Sequence, residues 1–176
     1  KLITKSKISK YNLRSHNEIT LSKEASKKEV IVILGQVETD NSILYGVPKN
    51  TIKKTNYALV KQVKKDNPDA FILYKPHPDL DSGVRKKGPE ESNINKIADF
   101  VAFETSLEDV FSKADKVAVF TSLGGFEALI RGISVTTYGL PFYAGWGLTE
   151  DKIMNHKCLK RRTRKLSLEE LIFISL

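Results

Sequence analysis

Short apolar runs set the rhythm of this chain: Val30 to Leu34, Ala70 to Tyr74, Phe100 to Phe103, Val117 to Phe120 and Val135 to Tyr138. Each is β-branched or aromatic and lacks polar alternation, which predicts strands covered on both faces. Helical patterns fill the intervals. "TIKKTNYALVKQVKKDNP" places Ile52, Leu59, Val60 and Val63 on one stripe and predicts a helix that stops at Asn67, before Pro68. "TSLEDVFSKA" opens with Thr105 and Glu108 at capping-box spacing, and "SLEELIFI" repeats the pattern with Ser167 and Glu170. Alternating strands and helices predict an α/β fold, a Rossmann-like parallel sheet flanked by helices, with no internal repeat. Ligands of such sheets bind beyond the carboxyl ends of the strands, so the loops after the apolar runs are where chemistry is sought.

Composition narrows this picture. The 176 residues, 40% hydrophobic and 28% charged, suit one globular domain. The opening to about Lys28 has few apolar residues and no sustained period, so residues 1–28 read as a linker or arm and 29–176 as the folded domain. No apolar run approaches the roughly 20 residues of a membrane span, and "KLITKSKISKYNLRSH" lacks the apolar core of a secretion signal, so a cytosolic chain is expected. Cys158 is the single cysteine, which rules out an internal disulfide and suggests no metal. Much of the net charge of +8 lies in the first 28 residues and in "KCLKRRTRK". Such tails meet RNA, anionic lipid or phosphorylated small molecules, or are solvated charge on a flexible end.

Four loops carry candidate chemistry. "GQVETDNSILYG" offers Gln36, Glu38 and Asp40, which an extended backbone would point to one side. Paired carboxylates suit nucleophilic and acid–base work at a sugar centre, and a polar solvated loop is the alternative. In "FILYKPHPDL", Pro76 and Pro78 hold Lys75 and His77 toward extended backbone. His77 then either meets a phosphate or carboxylate beside the Lys75 charge, or bonds a backbone carbonyl in a stiffened turn. In "FTSLGGFEALIRG", the Thr121 and Ser122 hydroxyls and bare N–H groups at the glycines are positioned to meet an anion at a helix start. This loop is neither a Walker loop nor GxGxxG, which disfavours dinucleotides and the usual NTPase mechanism. Glu127, one turn on, is a ribose contact or a solvated helix face. "YGLPFYAGWGLTED" reads as a compact loop whose Phe142, Tyr143 and Trp146 wall a pocket or cover the sheet edge.

Taken together, "GQVETDNSI", "YKPHPDL", "TSLGGFEALIRG", "YGLPFYAGWGLT" and "RRTRKLSLEEL" resemble the KpsC/LipB-type capsule polysaccharide proteins, bacterial β-Kdo glycosyltransferases. The resemblance runs from about Ser9 to the end. It implies one half of a GT-B glycosyltransferase, the donor-binding half, using CMP-β-Kdo with retention of the β configuration. The acceptor would be lipid-linked Kdo at the cytoplasmic membrane face, where capsule is attached. "SKISKYNLRSH" looks like the segment that joins the two halves, so the partner N-terminal GT-B domain would be missing and the isolated fragment inactive.

By the same resemblance, His77 and Pro78 would contact the cytidine phosphate, with Lys75 beside them. Thr121 and Ser122 also fall at phosphate, and Glu127 at ribose. The carboxylate motif falls on Gln36, Glu38 and Asp40, with an acidic residue more usual at the place of Thr39. Asp40 is then expected as nucleophile, Glu38 as acid or base, and Gln36 and Trp146 in support. No metal or cofactor is implied, because protein donors would neutralise the single phosphate. Other capsule assembly proteins are conceivable partners and nucleic acid is not. The location implied is cytoplasmic, peripheral at the inner membrane. Two other readings remain: a non-catalytic basic domain for anionic membrane or nucleic acid, and a GT-B-like enzyme using a UDP sugar or catalysing epimerisation.

Overall fold

The computed structural model describes residues 19–23 and 25–175. "SKISKYNLRSH" and most of the basic arm therefore lie outside the described residues. Among the described residues six strands form one sheet: β1 (Val30–Leu34), β2 (Phe71–Lys75), β3 (Phe100–Val101), β4 (Lys116–Val119), β5 (Ser134–Thr137) and β6 (Glu150–Asp151). Their order is β3-β2-β1-β4-β5-β6, and every pairing is parallel. The expected strands stand within one or two residues of the apolar runs. β1 is buried along its whole length, as an unalternated run in a two-sided sheet should be.

β6 had no apolar signal because it is built from two carboxylates. Thr136 Oγ1 donates to Glu150 Oε2 (3.1 Å) and Thr137 Oγ1 to Asp151 Oδ1 (2.8 Å), so side-chain bonds reinforce the pairing. A charged edge strand also deters further strand addition.

Among the described residues six α-helices complete the layers: α1 (Asn41–Gly46), α2 (Asn56–Asp66), α3 (Pro78–Asp81), α4 (Leu107–Phe111), α5 (Leu123–Ile130) and α6 (Leu168–Ser175). α2 buries Leu59, Val60 and Val63 and is closed by Asn67, as predicted. Its start is later than the pattern suggested. Thr55 accepts from Ala58 N and caps the helix, leaving Ile52 in a bend against the same core. At α4 the expected box shifts by one residue: Ser106 accepts from Asp109 N (3.1 Å), while Thr105 Oγ1 turns back to Phe103 O. At α6 the predicted box forms, with Ser167 and Glu170 each bonding the other's backbone N–H.

Two apolar layers sandwich the sheet. One gathers Val32, Leu34, Val119, Phe126 and Tyr143, the other Ile31, Ile33, Leu59, Ile72 and Tyr74. Each such fully buried side chain contributes roughly 1.5–3 kcal/mol of transfer free energy. The packed region reaches back to Ile19, which is 2% exposed and joins the first layer, ahead of the boundary drawn at residue 28. Among the described residues, no helix is long and apolar enough to cross a membrane.

Candidate functional site

In the order β3-β2-β1-β4-β5-β6 the chain reverses its direction of travel between β1 and β4, where loops leaving the two strands diverge and open a crevice. A cleft of about 280 Å³ lies there. Gln36 and Asp40 line it from the loop after β1, Lys75, His77 and Pro78 from the end of β2, and Thr121, Ser122 and Glu127 from the loop and helix after β4. Eight of the residues singled out in the sequence thus meet at one place. Glu38 and Trp146 are not among the lining residues.

Glu38 departs because the loop is not extended. It turns at Glu38 and Thr39, with Asp40 N donating to Val37 O (2.9 Å), so the period of two fails. Glu38 Oε1 instead accepts from Asn56 N (2.8 Å) at the start of α2. Its pKa lies above the ordinary value, first through burial and then through Glu91 and Glu90, against the lowering effect of the Asn56 N–H and Lys53. Asp40 occupies the N-cap position of α1 without capping it, and its carboxylate borders the cleft.

Gln36 fixes the hydrogen-bonding sense of the opposite wall. Thr121 N can only donate, so the Gln36 atom 2.9 Å away is Oε1; Nε2 then donates to Thr121 Oγ1 at 3.1 Å. Because that hydroxyl oxygen already accepts, its own proton is left to donate elsewhere. Ser122 Oγ likewise accepts from Gly124 N (3.2 Å) as the cap of α5, which leaves its O–H as a donor. At His77, Nδ1 accepts from Asp79 N (3.2 Å), so the neutral ring carries its proton on Nε2. The histidine is both the cap of α3 and a wall of the cleft.

Lys75 is 5% exposed with Nζ 3.4 Å from Asp81 Oδ2. Burial pushes its pKa down and Asp81 partly restores it. Glu127 Oε2 lies 3.8 Å from Arg131 Nη1, and Arg131 Nε donates to Glu108 (3.2 Å). The two glycines after Ser122 are not a bare anion nest. They sit inside the first turn of α5, where Gly124 packs on Leu34 and Gly125 on the Tyr143 hydroxyl and Val119, leaving no space for a side chain. Gly125 N also donates to Ser122 O (3.1 Å), which shortens the row of available N–H groups.

Three groups support the cleft from behind, and of these the sequence had singled out only Tyr143. Asn56 accepts from Gln36 N (3.0 Å) and donates to Gln36 O (2.8 Å), as a neighbouring strand would, and donates to Glu91 as well (3.0 Å). Tyr74 donates to the other oxygen of Glu91. Tyr143, fully buried, donates to Ser122 O beneath the cleft. Trp146 lies elsewhere, with Nε1 donating to Phe142 O (2.8 Å) and Arg162 over its ring at 5.6 Å. The aromatic loop therefore braces the cleft through Tyr143 and ties down the basic C-terminal segment through Trp146.

Such a sheet, with its cleft at the switch point, defines a Rossmann-like α/β domain. The chain belongs to the capsule polysaccharide biosynthesis protein family, whose model matches residues 1–174. It is similar to the capsule polysaccharide modification protein LipA of Neisseria meningitidis serogroup B (42% identity over 98% of this chain and 23% of LipA). It is also similar to the lipopolysaccharide-processing protein LpsZ of Rhizobium meliloti (39% identity, 93% of this chain and 36% of LpsZ). The chain thus spans between about a quarter and a third of these relatives. Among solved structures, the Thermosulfurimonas dismutans KpsC β-Kdo 2,7 transferase matches with TM-score 0.68 and 50% identity, over 82% of this chain and 43% of that one. The KpsC β-Kdo 2,4 transferase of the same organism matches with TM-score 0.74 and 29% identity, over 97% and 50%.

Proposed function

We propose that this chain is the donor-binding half of a retaining β-Kdo glycosyltransferase of capsule biosynthesis, and that the cleft between β1 and β4 takes CMP-β-Kdo. One observation carries the reading: the Thr121 and Ser122 hydroxyl oxygens are each committed as acceptors within the protein, so each keeps an O–H to donate into the cleft that His77 also lines. With Lys75 they form a donor-rich wall suited to a phosphate. The likeness to two KpsC Kdo transferases supports the sugar and the reaction class.

In this reading Asp40 attacks the anomeric carbon, the bond to the CMP phosphate breaks, and the departing charge falls on the hydroxyl and imidazole donors. A second displacement by the acceptor hydroxyl, its proton passing to the CMP phosphate released in the first step, restores the β configuration and frees Asp40. In the same reading Glu127, one helical turn beyond the phosphate donors, accepts from the ribose hydroxyls. The acceptor, a lipid-linked Kdo, and the second GT-B domain would complete the site.

Titration with CMP, UMP and AMP, followed by amide chemical shifts, tests the proposal. CMP is expected to shift Gln36, His77, Thr121 and Ser122 selectively. Equal responses to all three nucleotides, or none, would remove it.

A further inference from the structure

The charges lining the cleft do not balance the ligand proposed for it. Asp40 brings a carboxylate, Glu127 brings another that Arg131 meets at 3.8 Å, and the one lysine, Lys75, is already beside Asp81. A CMP-linked sugar acid adds a phosphodiester and a sugar carboxylate. The hydroxyl and imidazole donors are matched to one anionic group, which leaves the second without a counterpart.

The loop after α3, "SGVRKKG" from Ser82 to Gly88, holds three cations in succession, and Arg85, Lys86 and Lys87 are all exposed. Three contacts tie this loop to segments that border the cleft, whose lining residues it does not supply. Arg85 N donates to Asp79 O (2.7 Å), next to the cleft residue Pro78. Lys87 Nζ stands 5.6 Å over the Phe103 ring, two residues from the cleft residue Thr105. Gly88 packs against the Glu38 carboxylate, two residues from both Gln36 and Asp40. Among the described residues, neither Arg85 nor Lys86 takes part in an ion pair. Gly83, with φ of +77°, supplies the turn that brings the loop back from α3.

We propose that Arg85, Lys86 and Lys87 form the subsite that recognises the carboxylate of a sugar acid at the mouth of the cleft. The proposal rests on the reading of the cleft as a CMP-sugar site. Arginine and lysine at a rim select an anionic sugar over a neutral one and steer it inward, while the buried wall handles the phosphate.

The test uses the full-length polypeptide with the double variant R85Q/K86Q, whose positions are exposed and whose fold is not at stake. Three constants are measured: KM for CMP-Kdo, KM for a Kdo-terminated acceptor, and the inhibition constant of CMP alone. A rise on the order of tenfold in KM for the donor, with CMP inhibition unchanged, supports the subsite and assigns it to the donor carboxylate. The same rise confined to the acceptor KM supports it and assigns it to the acceptor carboxylate. Unchanged KM values overturn the proposal, and so does a parallel loss of CMP inhibition, which would make the loop a phosphate contact. If the wild-type protein neither turns over CMP-Kdo nor is inhibited by CMP, the reading of the cleft itself fails and the subsite falls with it.

Discussion

Asp40 and Glu38 stand two positions apart and face different surroundings, one bordering the cleft and the other bonded to the start of α2. Asp40→Asn in the full-length polypeptide is expected to lower Kdo transfer by roughly a thousandfold or more, as loss of a nucleophile should. Glu38→Gln keeps an acceptor for Asn56 N and is expected to stay within about tenfold of wild type. Product analysis with CMP-Kdo measures both, and equal losses would return Glu38 to proton transfer. Glu38 also predicts a pH effect. Its pKa is raised in the fold, so between the ordinary carboxylate value of 4.5 and the raised one the folded state holds the extra proton. Stability from this group is therefore present at acid pH and is lost as pH rises through that window. Urea denaturation across it should show wild type losing ground to Glu38→Gln, whereas parallel curves would contradict the assignment. The spacing alone pointed both carboxylates to one side. What separated them was a turn at Glu38 and Thr39, a local event that spacing does not reveal.

At the scale of elements, α5 shows how one short helix serves packing and binding together. Ser122 caps it, so Ser122→Ala is expected to cost about 1 kcal/mol of stability and to weaken CMP binding as well. Thermal melts and nucleotide titration separate the two effects. The glycines inside the helix carry a different demand. Gly125→Ala brings a Cβ against the Tyr143 hydroxyl and Val119, an overpacking cost of roughly 1–3 kcal/mol. Tyr143→Phe removes that hydroxyl, so Gly125→Ala in the Tyr143→Phe background should cost less than it does alone. A double-mutant cycle in denaturant reads the coupling directly, and strict additivity would mean that the obstacle is elsewhere. "TSLGG" announced a strand-to-helix turn in the sequence, but the reason for its second glycine was a contact with a tyrosine 18 positions on. Apolar runs made the strands legible for a similar reason in reverse: a strand buried on both faces writes its burial into consecutive residues. β6, paired through carboxylates and threonine hydroxyls, wrote nothing of the kind.

For the whole molecule, strand order decides where chemistry is possible. The local pattern could give alternating strands and helices, but only long-range pairing places β4 beside β1 and thereby puts the loop of Thr121 next to that of Gln36. Gln36 bridges these loops across the switch point, using Oε1 for Thr121 N and Nε2 for Thr121 Oγ1. Gln36→Ala removes both bonds without touching the β1 and β4 ladder, which is held by backbone pairing from Ile31 to Ile33. The expected result is local: hydrogen exchange accelerates from Thr121 to Gly125, while the ladder amides of β1 and β4 keep their protection. The Thr121 hydroxyl then loses the partner that set its direction, and CMP affinity is expected to fall by about tenfold, a change of 1.4 kcal/mol. Stability should fall by a similar amount, about 1–2 kcal/mol, for two lost bonds with water able to reach the loop. If exchange instead rises across the whole sheet, Gln36 is a general strut of the fold, and the cleft's donor wall owes its order to something other than this bridge.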